Sequence, residues 1–387
     1  MKQNILLVGH SGDMYGASRS LLKLTKILNE NYNVFVLIPE MGQLYTNLNK
    51  LISAERIIVY DGLYIFTRKS FRIKYLLPTL LRFFKNLIFL TKTIRKYDIK
   101  IIHTNSGVVP APALAAKLSG KKHIWHIREW FGDFKKFWPL YAAYMTRFSD
   151  RVVCVSQAMA IQFKQAKNVQ SIHNGFEIPE IPKVAQPSAE LENKLKDADL
   201  IIGCTSRIRL IRKGQEYLIE AIGLLSQKTG RNIQAILIGD YVPGYESQKE
   251  EFNNLIRKFN LEDRIHFLGH LDDPLPFYRL FDVFVLPSGE PEPFGGVIIE
   301  AMSMGLPVIG SNLGGTTEQI SDAWNGFLFE NQNSKDLLEK LEYFLNNKHQ
   351  LQIFGLRSIE RVEQNFTLEI HKKKILNLYQ DILINNL

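Results

Sequence analysis

The sequence predicts an α/β fold made of two parallel sheets, each covered by helices on both faces. Three observations predict it. Short, nearly continuous apolar runs alternate along the chain with longer stretches of helical periodicity. The length, 387 residues, exceeds the ~250–300 residues at which single cores stop growing and suits two domains. A stretch over residues 177–188, with prolines at 179, 182 and 187, reads as the linker between them.

In the first half the strand-like runs are residues 4–8, 34–38, 99–103, 123–127 and 152–155. In the second they are 200–204, 234–238, 265–268, 283–286 and 308–309. The expected domains are therefore 1–178 and 179–387, with the last helix packing back on the first. Ligands of open parallel sheets lie beyond the carboxyl ends of the strands, so a cleft between two facing sheets is the expected site.

A hydrophobic content of 45% with 22% charged residues fits a globular chain with sizeable cores. Cys154 and Cys204 stand alone in apolar runs and read as buried thiols of a reducing compartment. The first apolar run, after Met1, is too short for a signal-peptide core and leads into a strand and glycine loop. The stretch 76–90 is interrupted by Pro78, Arg82 and Lys85, and no run reaches the ~18 apolar residues of a spanning helix. A cytoplasmic chain, peripheral on the inner face of the cell membrane, is expected. Charge is uneven: residues 1–180 hold 26 Lys and Arg against 11 Asp and Glu, and residues 181–387 hold 22 against 28. An anionic partner is therefore expected on the first half alone.

The most informative stretch runs from Pro287 to Ile309 and reads as strand end, Pro- and Gly-rich loop, short helix and second strand. A helix starting near Gly295 would present free backbone N–H groups to an anion. Glu292 in the loop is placed to accept from sugar hydroxyls, and Glu300 in the helix to hold a ribose diol. The pattern Glu292-Pro293-Phe294-Gly295…Glu300 resembles the E-x7-E motif of glycosyltransferase family 4. Gly305-Leu306-Pro307-Val308 and Gly314-Gly315…Glu318 continue the resemblance, as do Ser206-Arg207…Lys213-Gly214-Gln215, Asp150–Ser156 and Asn174-Gly175-Phe176. The resemblance implies the GT-B fold, two facing Rossmann-like domains, and transfer of a sugar from a nucleotide-diphosphate donor with retention of configuration. It implies a catalytic Glu292 and a donor site of Arg207, Lys213, Phe294, Gly295, Gly296 and Glu300.

A departing nucleoside diphosphate must be neutralised by a metal or by fixed cations. Arg207 and Lys213 follow a strand at its carboxyl end, where such cations belong. The resembled clamp has a gap one residue shorter, and Arg209 stands as an alternative to Arg207. Asp197-Ala198-Asp199 has the D-x-D form of metal-dependent transferases, but it precedes its strand and reads as a solvated turn. The histidines lack zinc spacing, so no metal and no cofactor are expected. In the first half, the glycines at 9, 12 and 16 do not form G-x-G-x-x-G, and the resemblance retains only Gly16 as a donor contact. His126, in Trp125-His126-Ile127-Arg128-Glu129, resembles the family histidine that touches the transferred sugar. A core histidine is the alternative there, and it is preferred for His103. His270 is weaker still as a contact to the base.

Residues 68–100 carry ten Lys and Arg against one acid, Asp98, interleaved with Phe71, Tyr75, Phe83, Phe84 and Phe89. That composition suits an anionic lipid surface, with solvated cations on a packed helix pair as the alternative. No nucleic-acid module is present. The expected partners are a UDP- or GDP-sugar and a glycan or lipid-linked acceptor, in bacterial surface polysaccharide assembly. The mechanism implied needs no protein nucleophile. Glu292 as a nucleophile, a glycosidase, an epimerase or phosphorylase of the same fold, and a non-catalytic sugar-nucleotide-binding subunit remain as alternatives.

Overall fold

A computed structural model describes all residues except 1, 68–69, 71–72, 133, 135–136, 165, 179–186, 243, 246 and 385–387. Most of the predicted linker, and Arg68 and Phe71 of the basic stretch, lie outside the described residues. The chain divides into two compact units: residues 1–174 with 371–387, and residues 175–370.

Unit 1 is a seven-stranded sheet of β1 (Asn4–Val8), β2 (Asn33–Ile38), β3 (Ile57–Val59), β4 (Ile101–Thr104), β5 (Lys122–Ile127), β6 (Arg151–Cys154) and β7 (Val169–Ser171). Its order is β3-β2-β1-β4-β5-β6-β7, and every pairing is parallel. Unit 2 holds β8 (Leu200–Thr205), β9 (Ile233–Ile238), β10 (Ile265–Gly269), β11 (Val283–Leu286), β12 (Val308–Ser311) and β13 (Gly326–Phe329). Its order is β10-β9-β8-β11-β12-β13, again wholly parallel. In both sheets the order reverses beside the first strand, between β1 and β4 and between β8 and β11. That reversal is where open α/β sheets offer a crevice to ligands.

The apolar runs become strands because helices cover both faces and side chains of either parity are buried. All six residues of β9 and all four of β11 are buried. In unit 2 the core joins Ile202 and Val285 to Leu218, Ile222, Phe252 and Phe344 from the flanking helices. In unit 1 it joins Leu6, Val8 and Ile102 to Leu90, Ile94 and Ala115. The final helix, Leu368–Ile384, buries Tyr379, whose hydroxyl meets His103 Nδ1 at 2.8 Å.

Helix Leu76–Lys96 tolerates Pro78 because a first-turn residue needs no intrahelical N–H bond. Among the described residues no helix is long and apolar enough to cross a membrane. Both cysteines are free and buried.

Candidate active site

In unit 2, β8 and β11 are neighbours, so the loops leaving their carboxyl ends adjoin. The β8 loop carries Arg207, Arg209, Arg212 and Lys213, and the β11 loop carries Ser288 to Gly295. Lys213 Nζ is ion-paired with Glu292 Oε1, and Ser288 Oγ donates to the same oxygen at 2.9 Å. Burial pushes the Glu292 carboxyl up, but Lys213, the Ser288 hydroxyl and the Arg212 charge together outweigh it. The result lies below the usual glutamate value, so Glu292 is a carboxylate. It can accept hydrogen bonds and face positive charge, but it is no acid at neutral pH.

Glycines let these loops touch. Gly214 has φ +70°, and a Cβ there would lie 2.0 Å from the Pro287 carbonyl oxygen. Gly314, at φ +61°, lets a third loop close on the backbone of Glu292, whose carbonyl accepts from Gly315 N at 2.8 Å. Gln215, almost fully buried, staples the β8 loop: its Nε2 donates to Ser206 Oγ at 2.8 Å and to the Arg207 carbonyl at 3.1 Å.

The cations of this loop divide. The Arg209 guanidinium lies 4.4 Å from the centroid of the Tyr245 ring, and Arg212 pairs with Glu290 at 3.5 Å. Arg207 is exposed.

Helix Gly296–Ser303 begins one residue after the expected Gly295. Gly295 at its N-cap offers no side chain to the first-turn N–H groups. The Gly295 N–H itself donates to Gln319 Oε1 at 3.2 Å, while Gln319 Nε2 returns a bond to the Gly295 carbonyl at 2.9 Å. The Phe294 ring is buried against Phe366 and Phe176, with centroids 5.8 and 6.4 Å away. The Phe294 ring and the Gly295 N–H are thus engaged within unit 2. Gly296 starts the helix, and Glu300 accepts from the buried Tyr278 hydroxyl at 3.4 Å. Ser288, Gln319 and Tyr278 escaped the sequence reading because an isolated polar residue next to a strand or helix carries no spacing signal.

Asp199 lies at the opposite, amino edge of β8. It accepts from Asn232 N at 2.8 Å and pairs with Arg231 at 3.1 Å. Among the described residues no group of three or more His, Cys, Asp or Glu side chains forms a metal ligand set. His270, after β10, is exposed, and its ring lies 3.5 Å from Asp272.

Unit 1 has its own polar cluster at the carboxyl edge of β1, β4 and β5. Asn105 Nδ2 donates to the Ala17 carbonyl at 2.9 Å, beside Gly16, the first residue of helix Gly16–Asn29. No neighbour stands within 4 Å of a Cβ built on Gly16, so packing does not require glycine there. Arg128 donates to Asn105 Oδ1 at 2.9 Å and to Asn174 Oδ1 at 2.7 Å. Glu129 accepts from Ser106 Oγ and, at 2.7 Å, from Gly107 N. Arg128 and Glu129 sit beside His126 in the sequence, yet nothing in their spacing marked them.

His126 is fully buried and stacks on His103 with centroids 5.5 Å apart. Its Nδ1 is 3.5 Å from Arg128 Nη2, and its Nε2 has no partner among the described residues. Burial, then the Arg128 charge, holds the ring well below the ordinary histidine value, so it is neutral. The structure thus brings together Lys213 and Glu292 in unit 2, and sets His126 and Gly16 at the carboxyl edge of unit 1.

Residues 188–361 match the sequence model of "Glycosyl transferases group 1", and residues 14–178 match that of "Glycosyltransferase Family 4". A capsular polysaccharide biosynthesis glycosyltransferase of Staphylococcus aureus is 27% identical over 54% of this chain and 53% of its own length. The match thus spans about half of that relative. The Escherichia coli UDP-Gal:alpha-D-GlcNAc-diphosphoundecaprenol alpha-1,3-galactosyltransferase is 25% identical over 95% of this chain and 93% of its own. The crystal structure of Anabaena Alr3699/HepE in complex with UDP has the same fold. Its TM-score is 0.79 at 24% identity, covering 98% of this chain and 100% of that one. With the two sequence models together spanning most of its length and two wholly parallel, Rossmann-like sheets, the chain belongs to glycosyltransferase family 4, of GT-B fold.

Proposed function

We propose that this chain transfers a sugar from a nucleotide-diphosphate donor, a UDP- or GDP-sugar, to a hydroxyl of a glycan or lipid-linked acceptor, with retention and without a metal. The observation that carries the reading is the Lys213–Glu292 pair at the switch point of unit 2, between a cation-rich loop and the uncapped helix Gly296–Ser303. Lys213 and Arg207 would neutralise the diphosphate, with the helix N-terminus beside them. Arg207 is exposed on the β8 loop, and Arg209 stands as the alternative. Glu300 would hold the ribose.

The acceptor oxygen bonds to the sugar C1 as the C1–O bond to phosphate breaks, on the same face. The acceptor proton passes to the leaving phosphate oxygen. Glu292, held as a carboxylate, would accept from sugar hydroxyls and face the oxocarbenium-like charge. His126, neutral, would offer Nε2 to a sugar hydroxyl. Gly16 would leave room for a ligand against the helix start in unit 1, the unit to which we assign the acceptor.

Two relatives support reading that role as one in bacterial surface polysaccharide assembly. One is described as acting in capsular polysaccharide biosynthesis, another on a diphosphoundecaprenol-linked sugar. A lipid-borne acceptor fits the exposed Leu77, Leu80, Leu81, Phe84 and Ile88 of helix Leu76–Lys96, and the Lys and Arg beside them, as a surface resting on the inner, anionic membrane face.

The test is a thermal-shift screen of nucleotides and nucleotide sugars with EDTA and with magnesium. Stabilisation by UDP or GDP that persists in EDTA is expected. Stabilisation only with magnesium would overturn the metal-free clamp, and no response to any nucleotide would favour a chain without turnover.

A further inference from the structure

In unit 1 a cavity of about 490 Å³ opens between the loop after β3 and the helix Leu76–Lys96. Tyr60, Asp61, Gly62, Tyr64, Arg82 and Lys85 line it. Its walls are built by the protein itself. The Tyr60 ring stacks on Phe89 with centroids 3.8 Å apart and planes at 8°. The fully buried Asn86 accepts from Tyr64 N at 2.8 Å and donates to the carbonyls of Gly62 and Arg82. The Tyr64 hydroxyl donates to Thr79 Oγ1 at 3.2 Å. A Cβ on Gly62 would come within 2.5 Å of the Tyr60 ring, so a side chain there would push that ring from its place in the wall.

Two cations face this cavity against one acid, Asp61, and both are exposed. Neither the Arg82 nor the Lys85 side chain bonds to a described residue, so both are available to an anion. On the same helix Leu77, Leu81, Phe84 and Ile88 recur at helical spacing and are 54–68% exposed. They lie opposite the buried Asn86, Leu90, Thr93 and Ile94, so the helix is apolar on its outer face as well. A cationic pocket beside an outward apolar stripe matches the two chemistries of an anionic lipid.

We propose that this cavity is a headgroup site for a phosphate-bearing membrane lipid, with the phosphate between Arg82 and Lys85 and the hydrocarbon along Leu77–Ile88. It rests on the membrane part of the reading above and narrows it from a diffuse charged surface to one saturable site. Diffuse attraction would be shared by every cation of the helix. A site concentrates it on two.

The probe is short-chain phosphatidylglycerol, kept below its micelle-forming concentration and titrated calorimetrically into the full chain. The wild type is expected to bind one equivalent saturably. Arg82→Gln with Lys85→Gln should weaken binding roughly thirtyfold, which is about 2 kcal/mol. Lys92→Gln with Lys96→Gln, on the same helix outside the cavity lining, should leave it within twofold. Equal loss in both pairs, or no saturable binding to the wild type, overturns the site. Inorganic pyrophosphate binding as tightly as the lipid would overturn the lipid assignment in favour of a soluble anion. Melting with and without UDP, read on the same variants, reports the donor site separately, so failure there is not confused with failure here.

Discussion

Lys213 and Glu292, 79 residues apart, form an ion pair in which the carboxylate oxygen that meets the ammonium also accepts from Ser288. Removing either partner leaves the other part-buried and unpaired, which costs more than the net worth of the pair. Lys213→Ala and Glu292→Ala are each expected to cut kcat by ~10²–10³-fold, the scale of losing one preorganised charge. The thermal unfolding curve should stay cooperative in both. The double variant should lose much less than the product of the single losses, because the two groups act as a unit. Near-normal turnover in either single variant would sink the assignment.

The same pair makes a pH prediction. Burial alone would raise the Glu292 carboxyl, and Lys213 is the largest influence holding it down. In Lys213→Gln the burial remains and the cation is gone, so the Glu292 carboxyl rises. The acid limb of the kcat profile should therefore begin at a higher pH in the variant than in the wild type. A limb that stays put, or moves down, would show that Glu292 is not the titrating group.

Ile211 carries strain that Gly214 avoids. Both residues have positive φ, +68° and +70°, but Ile211 is β-branched and exposed. Its N–H is held by Glu216 Oε1 at 2.5 Å, which fixes the loop two residues before Lys213. Ile211→Gly should stabilise unit 2 by about 1 kcal/mol by relieving the left-handed conformation. It should also weaken UDP binding a few-fold by loosening the loop. Gly214→Ala should destabilise by more than about 2 kcal/mol, because its Cβ meets the Pro287 carbonyl as well as the φ restriction. Urea unfolding with UDP titration checks both, and a destabilised Ile211→Gly would mean that the strain is not real.

How much of this was legible in the sequence depended on burial. Nine of the ten strands expected are largely buried, where continuous apolar runs leave little ambiguity, and the tenth, β10, is an edge strand with only Ile265 buried. The ones missed, β3, β7 and β13, have three or four residues at or beside a sheet edge and are only partly buried, so their composition resembles that of loops. At the site, Lys213 and Glu292 were legible because glycines and spacing surround them. The Glu292–Ser288 bond and the Gln319–Gly295 exchange were not, since they depend on which loops adjoin in space. The packing of the Phe294 ring in an aromatic cluster was not legible either, since sequence neighbours do not reveal it.

Unit 1 should be the acid-labile half, because it buries four histidines. Burial depresses His123 to about 3 and His371 to about 4, and His103 and His126 also lie well below the ordinary value. Both His123 ring nitrogens meet hydroxyls, Thr104 Oγ1 and Ser149 Oγ, each at 2.9 Å, so the neutral ring is satisfied. Each histidine is depressed on folding, so between its folded value and ~6.5 the unfolded chain binds the extra proton. Stability is then complete above ~6.5 and falls as pH drops, by about 2 kcal/mol per histidine at pH 5. With only His123 and His371 counted, the melting temperature of unit 1 should fall roughly 10 °C between pH 7.5 and 5. Hydrogen exchange read by mass spectrometry should show β4 and β5 opening before β9 and β11 at pH 5. His123→Gln should flatten the pH dependence by about one proton, even though it removes a bond and lowers stability at pH 7.5. Unit 2 opening first at pH 5, or an unchanged slope in His123→Gln, would remove the histidines as the cause.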